Sequence, residues 1–134
     1  MTTYRFKAVL SNNQTGIASG VQTPVDFDTV VIDEGAFWDS ANKVLVPPAG
    51  ANVQFVASVA LQGAASPENV RVIYDTSGNC VRSPLGGDMQ AVGFDTADGT
   101  TGYKVDMKAT NSGDITIGSN ANQSHFSALI HVND

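Results

Sequence analysis

The chain alternates apolar and polar residues in short runs that turn residues interrupt. The clearest example is 25–59, which alternates over Val25–Ile32, breaks at the turn 33–35, resumes, stops at two adjacent prolines and alternates again from Val53. A period of two is the pattern of a half-buried β-strand, while Gly, Pro and Asp are typical of turns. Because no segment shows the 3.6-residue period of a helix, the pattern predicts an all-β protein.

The same pattern continues along the whole chain and predicts about ten short strands. Turn residues recur roughly every 8–12 residues, which is typical of a β-sandwich or barrel. No linker or internal repeat divides the sequence, so residues 1–134 are predicted to form a single domain. The predicted strands are Tyr4–Leu10, Val25–Ile32, Phe37–Asp39, Lys43–Val46, Val53–Leu61, Val70–Tyr74 with a continuation at Val81, Met89–Phe94, Tyr103–Met107, Ile115–Ile117 and His125–Val132.

Composition and charge exclude several classes of partner. The net charge is −6 and the seven basic residues are scattered, so neither nucleic-acid binding nor attachment to anionic lipid is expected. The single cysteine rules out an intrachain disulfide and a cysteine zinc cluster. The first ten residues lack the apolar region of a signal peptide, and no run approaches the ~20 apolar residues of a membrane span. We therefore expect synthesis in the cytoplasm without a signal peptide.

Short motifs follow one another along the chain: an opening F-x-A, then V-x-F, a D-x-G-x-F-x-D segment, a proline–glycine turn before a second V-x-F, a G-D-I strand and an S-x-F-x-A ending. In order and spacing they resemble the C1q/TNF-like domain family over essentially the full chain, in the stand-alone form carried by phages and bacteria. Val53 stands where the family has an aromatic residue, and Ala128 where glycine is usual. The motif residues are Phe6, Ala8, Val25, Phe27, Asp33, Gly35, Phe37, Asp39, Pro47, Pro48, Gly50, Val53, Phe55, Gly113, Asp114, Ile115, Ser124, Phe126 and Ala128.

The resemblance implies a ten-strand jelly-roll sandwich of two antiparallel sheets that assembles as a homotrimer. Both faces of the strand 53–61 and of the last strand carry apolar residues, and strands of that kind need cover on both sides. The alternative is a monomeric sandwich whose second face is covered by loops. Mapped onto this chain, the residues implied to face the three-fold axis are Val56, Ser58, Phe126, Ala128 and Ile130.

Candidate chemistry is sparse. Asp95 and Asp98 lie in the best oxygen-ligand loop and are candidate Ca²⁺ ligands, since relatives often bind Ca²⁺ near the trimer apex; the alternative is an Asx-type turn. The two histidines, His125 and His131, stand in no nucleophile elbow. On a strand they lie about 20 Å apart, so they cannot share an ion within one protomer. No pair of carboxylates is singled out for glycoside hydrolysis, and we expect no enzymatic activity.

Surface aromatics are the remaining candidates for ligand contact. Trp38 and Tyr74 are predicted to meet a sugar or a protein partner, with ordinary packing as the alternative. The resulting hypothesis is a trimeric virion surface protein, a spike, fibre tip or knob, that binds host surface polysaccharide or another virion protein. The alternative is a soluble or exported bacterial C1q-like binding or assembly module with no virion role.

Overall fold

Thirteen β-strands and no helix make up the part of the chain that the structure, a computed structural model, describes: residues 1–63, 65–73, 79–80, 88–120 and 123–133. Within these ranges no helix exists that could cross a membrane. The strands are β1 (Thr2–Val9), β2 (Gln14–Ile17), β3 (Thr23–Pro24), β4 (Thr29–Asp33), β5 (Trp38–Asp39), β6 (Val44–Leu45), β7 (Asn52–Ala60), β8 (Ser66–Ile73), β9 (Asn79–Cys80), β10 (Asp88–Thr96), β11 (Lys104–Thr110), β12 (Ile115–Ile117) and β13 (His125–Val132).

Two antiparallel sheets form the body of the protein. One has five strands in the order β10-β7-β13-β1-β4, and the other has four in the order β3-β11-β8-β9. Two small pairs, β12 with β2 and β5 with β6, complete the described structure. Neighbours in these sheets are far apart in sequence, as β1 and β13 are, so the fold depends on non-local pairing of the two chain ends.

The core contains the apolar faces of both sheets. β7 shows why, since Val53, Phe55, Ala57 and Val59 are all at most 2% exposed while the residues between them face away from the core. This confirms the predicted core face of that strand. The four-stranded sheet contributes Val70 and Val72 of β8 and Val105 and Met107 of β11. Phe55 meets Tyr103, the residue before β11, with ring centroids 5.7 Å apart.

The single strand predicted over Val25–Ile32 is wrong in its extent. β3 ends at Pro24 in the four-stranded sheet and β4 begins at Thr29 in the five-stranded sheet, so residues 25–28 carry the chain from one sheet to the other. Val25 and Phe27 are buried along this crossing, which reproduces the alternation of a strand although residues 25–28 belong to no strand. The segment 11–20, which lies between two of the predicted strands, contains β2, which pairs with β12.

The predicted orientation of the last strand is also wrong. Phe126, Ala128 and Ile130 were assigned to the axis, but they are 1%, 6% and 0% exposed and lie inside the protomer's own core. Phe126 packs edge-on against Phe6 with ring centroids 5.6 Å apart. Because side chains alternate along a strand, the residues that face away from the core are the ones between them, beginning with His125.

A buried ion pair connects the two central strands of the four-stranded sheet. Arg71 donates from Nε to Asp106 Oδ1 at 2.9 Å and from Nη2 to Oδ2 at 2.6 Å. Gln22 Nε2 donates to the same Oδ1 at 2.9 Å and to Asn69 Oδ1 at 2.9 Å. The side chain of Asp106 is only 7% exposed, so the network supplies the partners that a buried carboxylate needs.

We predict that Asp106→Ala destabilises the fold by about 3 kcal/mol. That is the lower end of the range for a broken buried pair, because Arg71 is 35% exposed and keeps some access to water. The measurement is urea unfolding at pH 7. Asp26→Ala is the matched control: Asp26 is 58% exposed and 3.7 Å from Lys43, so we expect a loss below about 1 kcal/mol. Equal losses in the two variants would contradict the prediction.

Candidate functional site

The side of the five-stranded sheet that faces away from the core is the candidate site, and we call it the outer face. Antiparallel register aligns its side chains into rows that run across β10, β7, β13 and β1. In that strand order, row 1 is Thr96, Asn52, His131 and Thr3; row 2 is Phe94, Gln54, Leu129 and Arg5; row 3 is Val92, Val56, Ser127 and Lys7; and row 4 is Gln90, Ser58, His125 and Val9.

The middle two rows carry an apolar band, formed by Phe94, Leu129, Val92 and Val56. The first three side chains are 73%, 40% and 48% exposed. A groove of about 420 Å³ runs over the band, and Ile32 of β4 lines its far side. A contiguous exposed apolar patch of this kind marks an interaction surface in soluble proteins.

Polar side chains occupy the rows on either side of the apolar band. In row 1, Thr96 donates its hydroxyl to Asn52 Oδ1 at 3.2 Å, and Thr3 Oγ1 lies 2.9 Å from His131 Nδ1. In row 4, the Ser58 hydroxyl donates to the backbone carbonyl of Gln123 at 2.6 Å. The outer face therefore has an apolar centre with polar margins, which is the anatomy of a protein–protein interface.

Among the described side chains, the charges of the outer face are cationic except for one paired carboxylate. Arg5 donates from Nε to Glu34 Oε1 at 2.8 Å, and the Glu34 carboxylate also accepts the backbone N–H of Arg5. This pairing raises the pKa of Arg5 and lowers that of Glu34. Lys7 has no ion-pair partner within the described residues. Burial, and secondarily the charge of Lys7, lowers the pKa of His125, whose Nδ1 lies 2.9 Å from Ser127 Oγ.

The architecture matches solved structures despite low sequence identity. Murine APRIL aligns over 98% of this chain and 100% of its own, with 12% identity and a TM-score of 0.65. Eiger TNF from S. frugiperda aligns over 98% of this chain and 92% of its own, with 9% identity and a TM-score of 0.56. The chain has a TNF-like jelly-roll fold. At the level of sequence, no protein-family model and no curated protein matches the chain.

The jelly roll places the predicted axis residues on opposite sides of the sheet. Val56 and Ser58 lie on the outer face, opposite Phe55, whereas Phe126, Ala128 and Ile130 face the core; contact of Val56 and Ser58 with an axis stays a prediction. Sequence reasoning missed Phe94, although one signal was present. Met89 and Ala91 are odd-numbered positions of β10 and face the core. Phe94 is an even-numbered position of the same strand, so alternation places it on the other face.

Of the two aromatic residues predicted to contact a ligand, the structure describes Trp38 but not Tyr74. Trp38 is half-buried, and its ring stacks on Phe6 with centroids 5.2 Å apart and 27° between the planes. Its neighbour Phe37 meets Tyr4 edge-on at 5.3 Å, so both rings of this pair pack against the jelly-roll core. Tyr74 lies outside the described residues. Ligand contact by either residue stays a prediction.

The predicted calcium ligands point to different partners. Asp95 Oδ2 accepts the hydroxyl of buried Tyr103 at 2.6 Å, whereas Asp98 Oδ1 accepts the backbone N–H groups of Thr100 at 2.8 Å and Thr101 at 2.6 Å. Asp98 thus forms the Asx-type turn that was the alternative interpretation. Among the described residues, no three His, Cys, Asp or Glu side chains form a group that could hold a metal ion. The Ca²⁺ site stays a prediction.

We predict that Asp98 contributes to acid sensitivity. Hydrogen bonds, first from the Thr101 hydroxyl and then from backbone N–H groups, hold the pKa of Asp98 well below its usual range. A carboxylate whose folded pKa is lowered stabilises the fold above its unfolded pKa of about 4, and that stabilisation is lost as the pH falls further. The difference in Tm between pH 7 and pH 3 should therefore be smaller in Asp98→Asn than in the parent.

Asp114→Asn is the control for that experiment. It removes an exposed carboxylate that accepts no hydrogen bond from the described residues. We expect the parental dependence of Tm on pH in this variant. A loss of acid sensitivity in the control equal to that in Asp98→Asn would show that net charge, rather than the Asp98 turn, sets the response.

Proposed function

We propose that the chain is a non-enzymatic binding module that works as a homotrimer, with the outer face of the five-stranded sheet turned toward the three-fold axis. The single observation that carries the proposal is the apolar band, because three large side chains of β10 and β13, the strands on either side of β7, are 40–73% exposed. The TNF-like fold and the C1q/TNF-like resemblance support a three-fold arrangement over other symmetries.

The energetics favour covering this face with another protein surface. An antiparallel sheet that faces water on one side normally presents polar residues there, and this sheet presents Phe94, Val92 and Leu129 instead. Full burial of each such side chain contributes roughly 1.5–3 kcal/mol. A heterologous contact between copies generates a closed ring when its rotation closes, so one repeated contact is enough for three copies to bury all three bands.

The surroundings of the histidines support a non-enzymatic role. His125 approaches the hydroxyl of Ser127 at 2.9 Å, which is the distance of a nucleophile–base pair. However, the charge that acts on His125 is the cation of Lys7, whereas a catalytic histidine is oriented and stabilised by a carboxylate. His131 approaches the hydroxyl of Thr3 in an otherwise neutral row. Neither arrangement supports an activated nucleophile.

The finer assignment is a virion surface protein, a spike, fibre tip or knob of a phage or phage-like particle. Its partner would be host surface polysaccharide or another virion protein. Three identical sites on one trimer give avidity, so each site needs only modest affinity. The acidic net charge of −6 fits this role better than binding to nucleic acid or anionic lipid. A soluble or exported bacterial binding or assembly module is the second candidate.

We predict that Phe94→Asp converts the trimer to a monomer, because three carboxylates would be buried without partners near one axis. Light scattering at micromolar concentration should give about three times 14.0 kDa for the parent and 14.0 kDa for the variant. Val21→Asp is the matched control, since Val21 is 51% exposed but precedes β3 of the other sheet. The control should remain trimeric. A monomeric parent would overturn the proposed assembly.

We predict that binding to a multivalent target depends on the assembly. A glycan array and a panel of capsid and tail proteins should be probed with the parent and with Phe94→Asp at equal protomer concentration. If the sites act by avidity, the monomeric variant should bind at least about 100-fold more weakly. Binding to virion proteins alone would favour a structural role over a receptor-binding role. Binding to neither class of target would contradict the virion assignment.

A further inference from the structure

We propose that His125 makes the assembly of this protein dependent on pH, so that acidification weakens the trimer. The inference rests on the proposed function, since it requires the outer face to be the assembly face. It adds to that proposal a residue that regulates assembly and the direction in which pH changes the stability of the trimer. The supporting observation is the position of His125 on the outer face, beside the one cation of rows 1–4 that has no ion-pair partner among the described residues.

The register places His125 and Lys7 together. β1 and β13 pair Lys7 with Ser127 and Val9 with His125, so Lys7 and His125 are diagonal neighbours on the outer face. Diagonal residues on adjacent strands are within reach of long side chains. His125 is half-buried, and it lies in the row that borders the apolar band next to Val56 and Lys7. Assembly over the band would remove further water from this position.

The second histidine lacks this environment, although it occupies the same face of the same strand. The cation diagonal to His131 is Arg5, and Glu34 neutralises it at 2.7 Å. The charge of Lys7 is not compensated in this way. Protonation therefore places two neighbouring like charges on the outer face at His125, whereas at His131 it adds a single charge to a neutral row. This difference assigns the response to His125.

Among the described side chains, no other charge around His125 offsets Lys7. On β7 the outer residues of rows 1–4 are uncharged, and on the described part of the approach to β13 Gln123 and Ser124 are neutral. Asp88 of β10 pairs with Ala60 one row further on, and its side chain lies outside the described residues. In a three-fold assembly each copy supplies the same cationic pair, and the described carboxylate at this face, Glu34, is already paired with Arg5.

Trimer stability is expected to fall with pH because the assembly favours the neutral form of His125. Burial, and secondarily Lys7, already lowers the pKa of His125 in the single protomer, and covering the outer face acts in the same direction. A histidine whose pKa falls on association stabilises the assembly at pH values where it is neutral in the free protomer. It weakens the assembly as the pH drops through its pKa in the free protomer, which burial has already lowered below the usual 6.5. Because a trimer contains three copies of His125, the effect on the trimer association constant is the cube of the effect per protomer.

The test is sedimentation equilibrium of the parent, His125→Gln, His131→Gln and Lys7→Gln between pH 5 and pH 8. We expect the trimer association constant of the parent to fall by at least about tenfold between pH 8 and pH 5, because three copies of His125 act together. His125→Gln should abolish the fall, and His131→Gln should retain it. Lys7→Gln should make the fall smaller, because it removes the neighbouring charge but leaves the burial.

The outcomes separate this inference from the proposal on which it rests. A parent that is monomeric at pH 8 overturns both. A trimer whose association constant is the same at pH 5 and pH 8, or whose response survives in His125→Gln, overturns only the role of His125. Should His125→Gln fail to fold, NMR titration of the parent decides the question: the apparent pKa of His125 must drop as the protein is concentrated into trimer, with His131 as the internal reference.

Discussion

The rest of the structure depends on the fact that the five-stranded sheet is apolar on both faces. Side chains alternate across a strand, so β7 and β13 each present one set of residues to the core and the intervening set to the outside. The inner set, exemplified by Phe55 and Phe126, is covered by the four-stranded sheet, but no described residue covers Phe94 or Val92. In the proposed trimer another copy of the chain covers that side without any additional domain.

The sequence predicted the strands and the fold class well because both are local patterns. Alternation over 53–59 gave the core face of β7 correctly, since Val53, Phe55, Ala57 and Val59 are buried. The crossing between the sheets at 25–28 was mistaken for strand because burial of alternate residues does not require pairing. Periodicity reports which side chains are inside; it does not report which sheet the backbone has joined.

The candidate site was only half predicted, and the reason is physical. On β13 both sets of residues contain large apolar side chains, so the choice of face depends on neighbours that a single strand does not contain. A shift of one residue exchanges every side chain between the two faces, which is why Val56 was placed correctly while Phe126 was not. The acidic loop shows the same limit, because the spacing of Asp98 suits both a metal ligand and an Asx turn.

The two histidines of the outer face occupy similar positions but differ in the charge beside them. Both border the apolar band, and each approaches a hydroxyl at 2.9 Å. Arg5 is neutralised by Glu34 at one end, while at the other end Lys7 has no such partner in the described chain. Removing water from the outer face therefore has a small free-energy cost near Arg5 at any pH, because Glu34 neutralises that side chain. Near Lys7 the free-energy cost depends on whether His125 carries a proton. An interface that is apolar at its centre and asymmetric in charge at its margins is stable when that proton is absent.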